Sequence, residues 1–148
     1  DDIAVSLGGY AAERMVFGDL TTGPSNDLQV STALARDMVT KYGMSDKMGP
    51  VALEEPGGKA IFGKGVGEHE YSERVSAEID AEVSRIMSEA LEKAEHALKT
   101  HRRALDAIAK ELVTVETIEH EAFEKILLAN GIIPKKREEF FNLNPSAV

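Results

Sequence analysis

The stretch Thr21-Thr22-Gly23-Pro24-Ser25-Asn26-Asp27-Leu28 is a polar turn between two apolar segments, and its reading decides the fold. Before it, Ile3 to Phe17 is rich in Ile, Val, Leu, Met and Ala. After it, Leu28 to Tyr42 carries Val30, Ala33, Leu34, Met38 and Tyr42 at helical spacing, with Val39 on another face. Five side-chain acceptors (Thr21, Thr22, Ser25, Asn26, Asp27) gather where the second helix begins. The structural explanation is an N-cap, since Ser, Asn and Asp accept hydrogen bonds from the first free N–H groups of a helix. One residue suffices for that, and Gly23-Pro24 already shapes the turn. Asp27 is therefore also a candidate metal ligand or anchor, because the positive end of the helix macrodipole favours an ionised carboxylate.

The chain has 148 residues, enough for one domain with a substantial core. Without Cys, neither disulfides nor thiolate metal sites hold it together. A net charge of −9 leaves no basic stripe for phosphates and argues against a nucleic-acid partner. No apolar run approaches the roughly 18 residues a membrane helix needs, so the piece itself is expected to be soluble and free of membrane contact. It opens on Asp1-Asp2, already close to a helical pattern, and reads as part of a longer protein.

The first helix, about residues 3–17, is apolar on nearly every face, which marks it as central. Gly8-Gly9 inside it predicts close approach of another backbone. Glu13 is anomalous among Ala12, Met15 and Val16; a buried ion pair, an exposed edge and a functional role all fit it. Arg14 points elsewhere, since adjacent helical residues diverge. Gly18-Asp19 ends this helix. The second, about 27–42, ends at Gly43, a good left-handed C′ residue. Val51-Ala52-Leu53 is a candidate edge strand. Glu54 to Gly67 holds five of the twelve glycines and reads as a loop, with a candidate hairpin at Ile61-Phe62. Gly58 to Gly65 matches G-x-x-x-x-G-K but has Gly65 where Ser or Thr would hold magnesium, and lacks the strand-to-helix context of a phosphate loop.

Ser72 is an N-cap candidate for a long helix running to about Thr100. Its expected apolar stripe is Val75, Ile79, Val83, Ile86, Ala90, Ala94 and Ala97, with Glu89–Lys93 and Glu95–Lys99 as solvated i,i+4 pairs. Leu105, Ile108 and Leu112 mark a further helix, broken at Thr114 to Ile118. A last one, about 119–129, packs through Ala122, Phe123, Ile126 and Leu127 and stops at Asn130-Gly131. From Pro134 the chain reads as a tail, in which Phe140-Phe141 is a candidate docking pair. His69, His96, His101 and His120 never fall at i,i+4, the spacing that gathers two imidazoles around zinc. No complete catalytic set is visible.

Three motifs, Ser6-Leu7-Gly8-Gly9-Tyr10-Ala11-Ala12-Glu13-Arg14-Met15-Val16-Phe17-Gly18, the Thr21–Leu28 turn, and Ala35-Arg36-Asp37-Met38-Val39-Thr40-Lys41-Tyr42-Gly43-Met44-Ser45, together closely resemble the peptidase domain of FtsH-type ATP-dependent zinc metalloproteases. Val113 to Ile118 is similar to that family's C-terminal end, so the likeness extends to about Ile133. It implies a hexamer in which a membrane anchor and an AAA+ ATPase module precede a helical peptidase domain. In that family two His of an HExxH helix and a downstream Asp hold zinc, and Asp27 matches that Asp. The HExxH, with its general-base Glu, would lie upstream of Asp1. Glu13 matches the first acidic residue of the family's G-G-x-x-A-E-E stretch, near the metal, where it could orient a ligating His. The chain departs from the family at Arg14, where a second Glu is common, and at Pro24, where Ala is common.

The resulting expectation is an all-α helical bundle of about five helices, with a small irregular or β element near residues 51–63. Residues 1–133 form the C-terminal part of the peptidase domain and 134–148 a tail. The resemblance implies a membrane-anchored, ATP-dependent zinc endopeptidase that degrades unfolded, tagged or membrane proteins. ATP would act only in the AAA+ module, and zinc would be completed by residues outside this chain. This domain would lie on the cytoplasmic, matrix or stromal side of a bacterial inner or organelle membrane. The chain alone is expected to be inactive. The alternative is a non-catalytic helical oligomerisation or adaptor module on the same scaffold.

Overall fold

The computed structural model describes residues 1–53 and 72–134. They contain six helices and no strand: α1 (Asp2–Ser6), α2 (Gly8–Phe17), α3 (Ser25–Thr40), α4 (Glu73–Thr100), α5 (Arg102–Val115) and α6 (His120–Ala129). The fold is all-α, as expected. Residues 51–53 are irregular rather than an edge strand, and an isolated bridge joins Ser45 to Gly49. The Gly58–Gly65 motif, the Ile61-Phe62 hairpin, His69 and Phe140-Phe141 lie outside the described residues.

The chain divides into two compact units, Asp1–Leu98 and Lys99–Val148. In the first, α1 packs against α3, and the core joins Ile3 and Leu7 to Ala35 and Ala90. Leu28, Met38, Val83, Ile86, Met87 and Leu91 surround these four. The expected first helix is two helices meeting at Leu7, and its buried stripe is narrow: Ile3, Leu7 and Ala11, one per turn. Val5 and Phe17 are more than three-quarters exposed, so the segment enters the core through Ile3 and Leu7 without being buried on every apolar face.

Helix α3 corrects a second expectation. Its buried residues are Ser31, Ala35, Val39 and Thr40, whereas Val30, Leu34 and Tyr42 are exposed. The phase follows the packing of α1, whose Ile3 and adjoining Leu7 cluster with Ala35, a side chain small enough to admit them. Gly8 and Gly9 have nothing within 4 Å of where a Cβ would stand, so no backbone among the described residues approaches there. The close approach occurs instead at Gly43. Its φ is +59°, and a Cβ would lie 3.2 Å from the backbone of Pro50 and Val51. Met44 N–H donates to the Met38 carbonyl at 2.8 Å, and Leu53 N–H to that of Thr40 at 2.7 Å. The chain after α3 thus folds back on the helix end.

Ser72 caps α4 as expected, its Oγ accepting from Val75 N–H at 3.3 Å. The α4 stripe buries Ile79, Ala90 and Ala94 and leaves Ala97 exposed. The carboxylate Glu82 shares that stripe. Arg85 donates to Glu89 at 2.7 Å on the solvated side, and Arg36 reaches Asp80 at 3.5 Å.

In the second unit α5 packs against α6. Helix α5 stops at Glu116, a non-glycine residue at φ 61°. Helix α6 closes on Gly131 at φ 76°. There Ile132 N–H donates to the Leu127 carbonyl and Gly131 N–H to that of Leu128, a paired C-terminal closure that a left-handed glycine permits. On α6, Ile126 and Leu127 are half-buried, while Ala122 and Phe123 are exposed rather than packed.

Candidate metal-ligand site at the start of helix α3

Helix α2 ends at Gly18, whose φ of 69° turns the chain out of the helix. The chain then returns past Glu13. Thr21 N–H donates to Glu13 Oε2 at 3.1 Å, and Thr21 Oγ1 lies 3.1 and 3.0 Å from the two carboxylate oxygens. Gly23 N–H in turn donates to Thr21 Oγ1 at 3.1 Å. Glu13 thus grips the turn through one side chain, and the hydroxyl passes the grip on to the backbone at Gly23. A Cβ on Gly23 would stand 3.2 Å from both Glu13 Oε1 and Thr21 Oγ1. Among the described residues Glu13 is neither in an ion pair nor an idle exposed edge. Its neighbour Arg14 does point elsewhere, placing Nη1 3.6 Å from Glu95 Oε1 on α4.

Beyond the grip, Ser25 N–H donates to the Thr22 carbonyl at 3.2 Å, and α3 starts with Pro24 at the N-cap position. This overturns the capping account of Asp27. The cap residue has no side-chain acceptor, no side chain caps the helix, and Asp27 stands in its first turn. An acidic residue three positions into a helix ordinarily reaches back to the N–H of the cap residue. Proline has none. Among the described residues no hydrogen bond or ion pair engages the exposed Asp27 carboxylate, at the end of the helix where negative charge is favoured. One turn further, on the same face, Ser31 is buried and its Oγ has no partner among the described residues.

As a metal site this arrangement is partial. No group of three His, Cys, Asp or Glu able to hold a metal occurs among the described residues, and His96, His101 and His120 are exposed and separate. A free carboxylate is a suitable zinc donor, so the residues present fit a metal only as the source of one ligand.

A second carboxylate was not singled out by sequence reasoning. Glu82 of α4 is buried and accepts from Ser45 Oγ at 2.7 Å, and that same Oγ accepts from Met48 N–H at 3.1 Å. Arg85 donates to both Glu82 oxygens, at 3.2 and 3.0 Å. The Arg85 hydrogen bonds foremost, then that of Ser45, hold the Glu82 carboxyl below its ordinary range against the opposing effect of burial. The available signal was positional: residue 82 falls in phase with Ile79 and Ile86 on the buried stripe.

Comparison with known proteins identifies this scaffold. The model of peptidase family M41 matches residues 1–126. The ATP-dependent zinc metalloprotease FtsH of Bacillus subtilis is 40% identical over 138 residues, covering 92% of this chain and 22% of that protein. FtsH 3 of Synechocystis sp. is 41% identical over 134 residues, 88% of this chain and 22% of its own length. FtsH of Lancefieldella parvula is 46% identical over 127 residues, with 86% and 19% covered. The chain spans about a fifth of the length of these relatives. Matched over most of its length by the family model and by these relatives, the chain belongs to peptidase family M41.

Proposed function

We propose that this chain is the C-terminal part of the peptidase domain of an ATP-dependent zinc metalloendopeptidase, and that Asp27 supplies one carboxylate ligand to the zinc. The observation that carries the reading is the Asp27 carboxylate itself: it lies on the first turn of α3, and Pro24 deprives it of the structural task its position would otherwise give it. In the complete protein two His of an HExxH helix join Asp27, and the Glu of that motif moves the proton. Zinc, when bound, supplies Lewis-acid chemistry, polarising a peptide carbonyl and acidifying water. This chain's own contribution is to present an anionic donor from a rigid helix end, with Glu13 supporting the site without ligating.

The complete protein carries a membrane anchor and an AAA+ module that binds ATP, assembles as a hexamer, and degrades unfolded, tagged or membrane proteins on the cytoplasmic, matrix or stromal side. No helix among the described residues is long and apolar enough to cross a membrane. The 148-residue chain by itself has no peptidase activity, since one carboxylate does not hold or activate zinc.

Asp27→Asn in the complete protease tests the ligand assignment. It keeps size and changes one donor's charge, and with no cap to lose it costs the helix at most about 1 kcal/mol of dipole interaction. Zinc affinity is expected to fall by more than the roughly 10- to 100-fold typical of outer-layer changes. Proteolysis of an unfolded protein is lost, while ATP hydrolysis and the melting temperature stay near wild type. Zinc content and proteolysis both retained would refute the assignment.

A further inference from the structure

Glu13 contacts the turn that precedes the candidate metal ligand, and none of its hydrogen bonds reaches Asp27. They end on the turn that leads into α3. We infer that Glu13 and Thr21 form a clasp that positions Asp27, so that Glu13 acts on the metal site through the backbone of residues 21–27 rather than through its charge or a bond to another ligand. The inference rests on the Asp27 assignment above.

Three features carry it. The clasp is bidentate toward one residue: Glu13 receives both the N–H and the hydroxyl of Thr21, which fixes the residue's orientation as well as its place. It is relayed, because Thr21 Oγ1 also accepts from Gly23 N–H at 3.1 Å. From Gly23 only Pro24, with its fixed φ, Ser25 and Asn26 separate the gripped segment from Asp27. The helix start lacks any side-chain cap, so nothing at the cap itself duplicates the clasp. Gly23 completes the fit, since a methyl there would press on Glu13 Oε1 and Thr21 Oγ1 at 3.2 Å. Preorganising a ligand matters because a donor free to sample other positions must be ordered at the moment of binding.

This route predicts a substitution pattern that a charge-based role does not. Glu13→Gln retains an oxygen that accepts Thr21 N–H and adds an amide that donates to Thr21 Oγ1, so the clasp survives without its charge. Glu13→Ala abolishes it. Thr21→Val leaves only the backbone bond and removes the acceptor for Gly23. A role through charge would make Glu13→Gln as harmful as Glu13→Ala and leave Thr21→Val near wild type.

The experiment measures zinc dissociation constants of the complete protease by competition with a chromophoric chelator, alongside amide hydrogen exchange at Thr21 and Gly23 and melting temperatures. Expected are affinity losses of roughly 10-fold or more for Glu13→Ala and Thr21→Val, with the double variant no worse than Glu13→Ala. Glu13→Gln should stay within about 3-fold of wild type, because it keeps the clasp. Exchange at Gly23 should quicken in both Glu13→Ala and Thr21→Val. Glu13→Gln matching Glu13→Ala in zinc loss would overturn the inference, as would faster exchange with zinc affinity unchanged. Asp27→Asn on the same assay separates the failures. If it binds zinc as wild type does, the ligand assignment falls; if it loses zinc while the clasp variants keep theirs, only the clasp inference falls.

Discussion

Helix α3 is held at both ends by a carboxylate from another helix, and the two grips differ in kind. At its start Glu13 of α2 takes Thr21, and Thr21 takes Gly23. At its end Glu82 of α4 takes Ser45, and Ser45 takes Met48. In each a hydroxyl accepts from a backbone N–H two or three residues onward and is itself tied to a carboxylate. The second grip is buried, supplied with an arginine, and locked beside a glycine that backbone presses on. The first is half-buried at Glu13 and exposed at Thr21, and among the described residues it has no cation and leads to a carboxylate with no partner of its own. The lesson is that similar hydrogen-bond patterns serve different ends. The buried grip contributes to stability, because breaking it strands groups away from water. The exposed grip contributes little to stability and much to where Asp27 stands.

The contrast is sharpest at the two glycines. Gly43→Ala introduces a Cβ at φ +59° and 3.2 Å from the backbone of Pro50 and Val51, which cannot move aside as a side chain can. It should cost about 2–3 kcal/mol, read as a lowered urea midpoint of the helical circular-dichroism signal. A loss under about 0.5 kcal/mol would mean that the return loop is not fixed against the end of α3.

Next in size is Glu82→Ala, expected to cost about 2 kcal/mol through the lost charged hydrogen bonds while leaving zinc affinity in the complete protein near wild type. The same group sets an acid limit. Its folded pKa is depressed, so its contribution is complete above the ordinary value of 4.5 and fades as pH falls through the lower folded value. Stability of the wild type should therefore drop more steeply below that pH than stability of Glu82→Gln. Parallel pH profiles would break the comparison from this side.

The smallest stability change is expected for Gly23→Ala, about 0.5 kcal/mol, because the groups it crowds are side-chain ends that can shift. Its effect should appear in zinc affinity, as the Glu13 carboxylate is displaced. A stability loss as large as that of Gly43→Ala would show that the two turns are alike after all.

Much of the helical layout was legible beforehand. Ser72 as a cap, the ends at Gly18 and Gly131, and the left-handed Gly43 follow from local rules about which residues satisfy helix termini. The all-α class follows from apolar spacing, and the M41 family from three motifs in order. Other features were not legible. Gly8-Gly9 and Gly43 are equally permissive as residues, yet among the described residues a backbone approaches Gly43 and none approaches Gly8-Gly9. Large apolar residues on α3 suggested the wrong buried face, because which face is buried depends on the helix that approaches it, and α1 packs its Ile3 and adjoining Leu7 at Ala35.

The sequence by itself determined the Ser72 cap, the helix ends at Gly18 and Gly131 and which family the chain joins, since these depend on neighbours a few residues apart. Tertiary structure alone decided which carboxylates are occupied. Glu82 stood out in no motif and is buried against Ser45 across 37 residues of chain. Glu13 looked like an anomaly in an apolar helix and holds a turn eight residues away. Asp27 looked like a cap and caps nothing, because Pro24 occupies the cap position and offers no N–H for it to accept. A carboxylate's role depends on which donor reaches it in space, and that distance is set only when the helices pack.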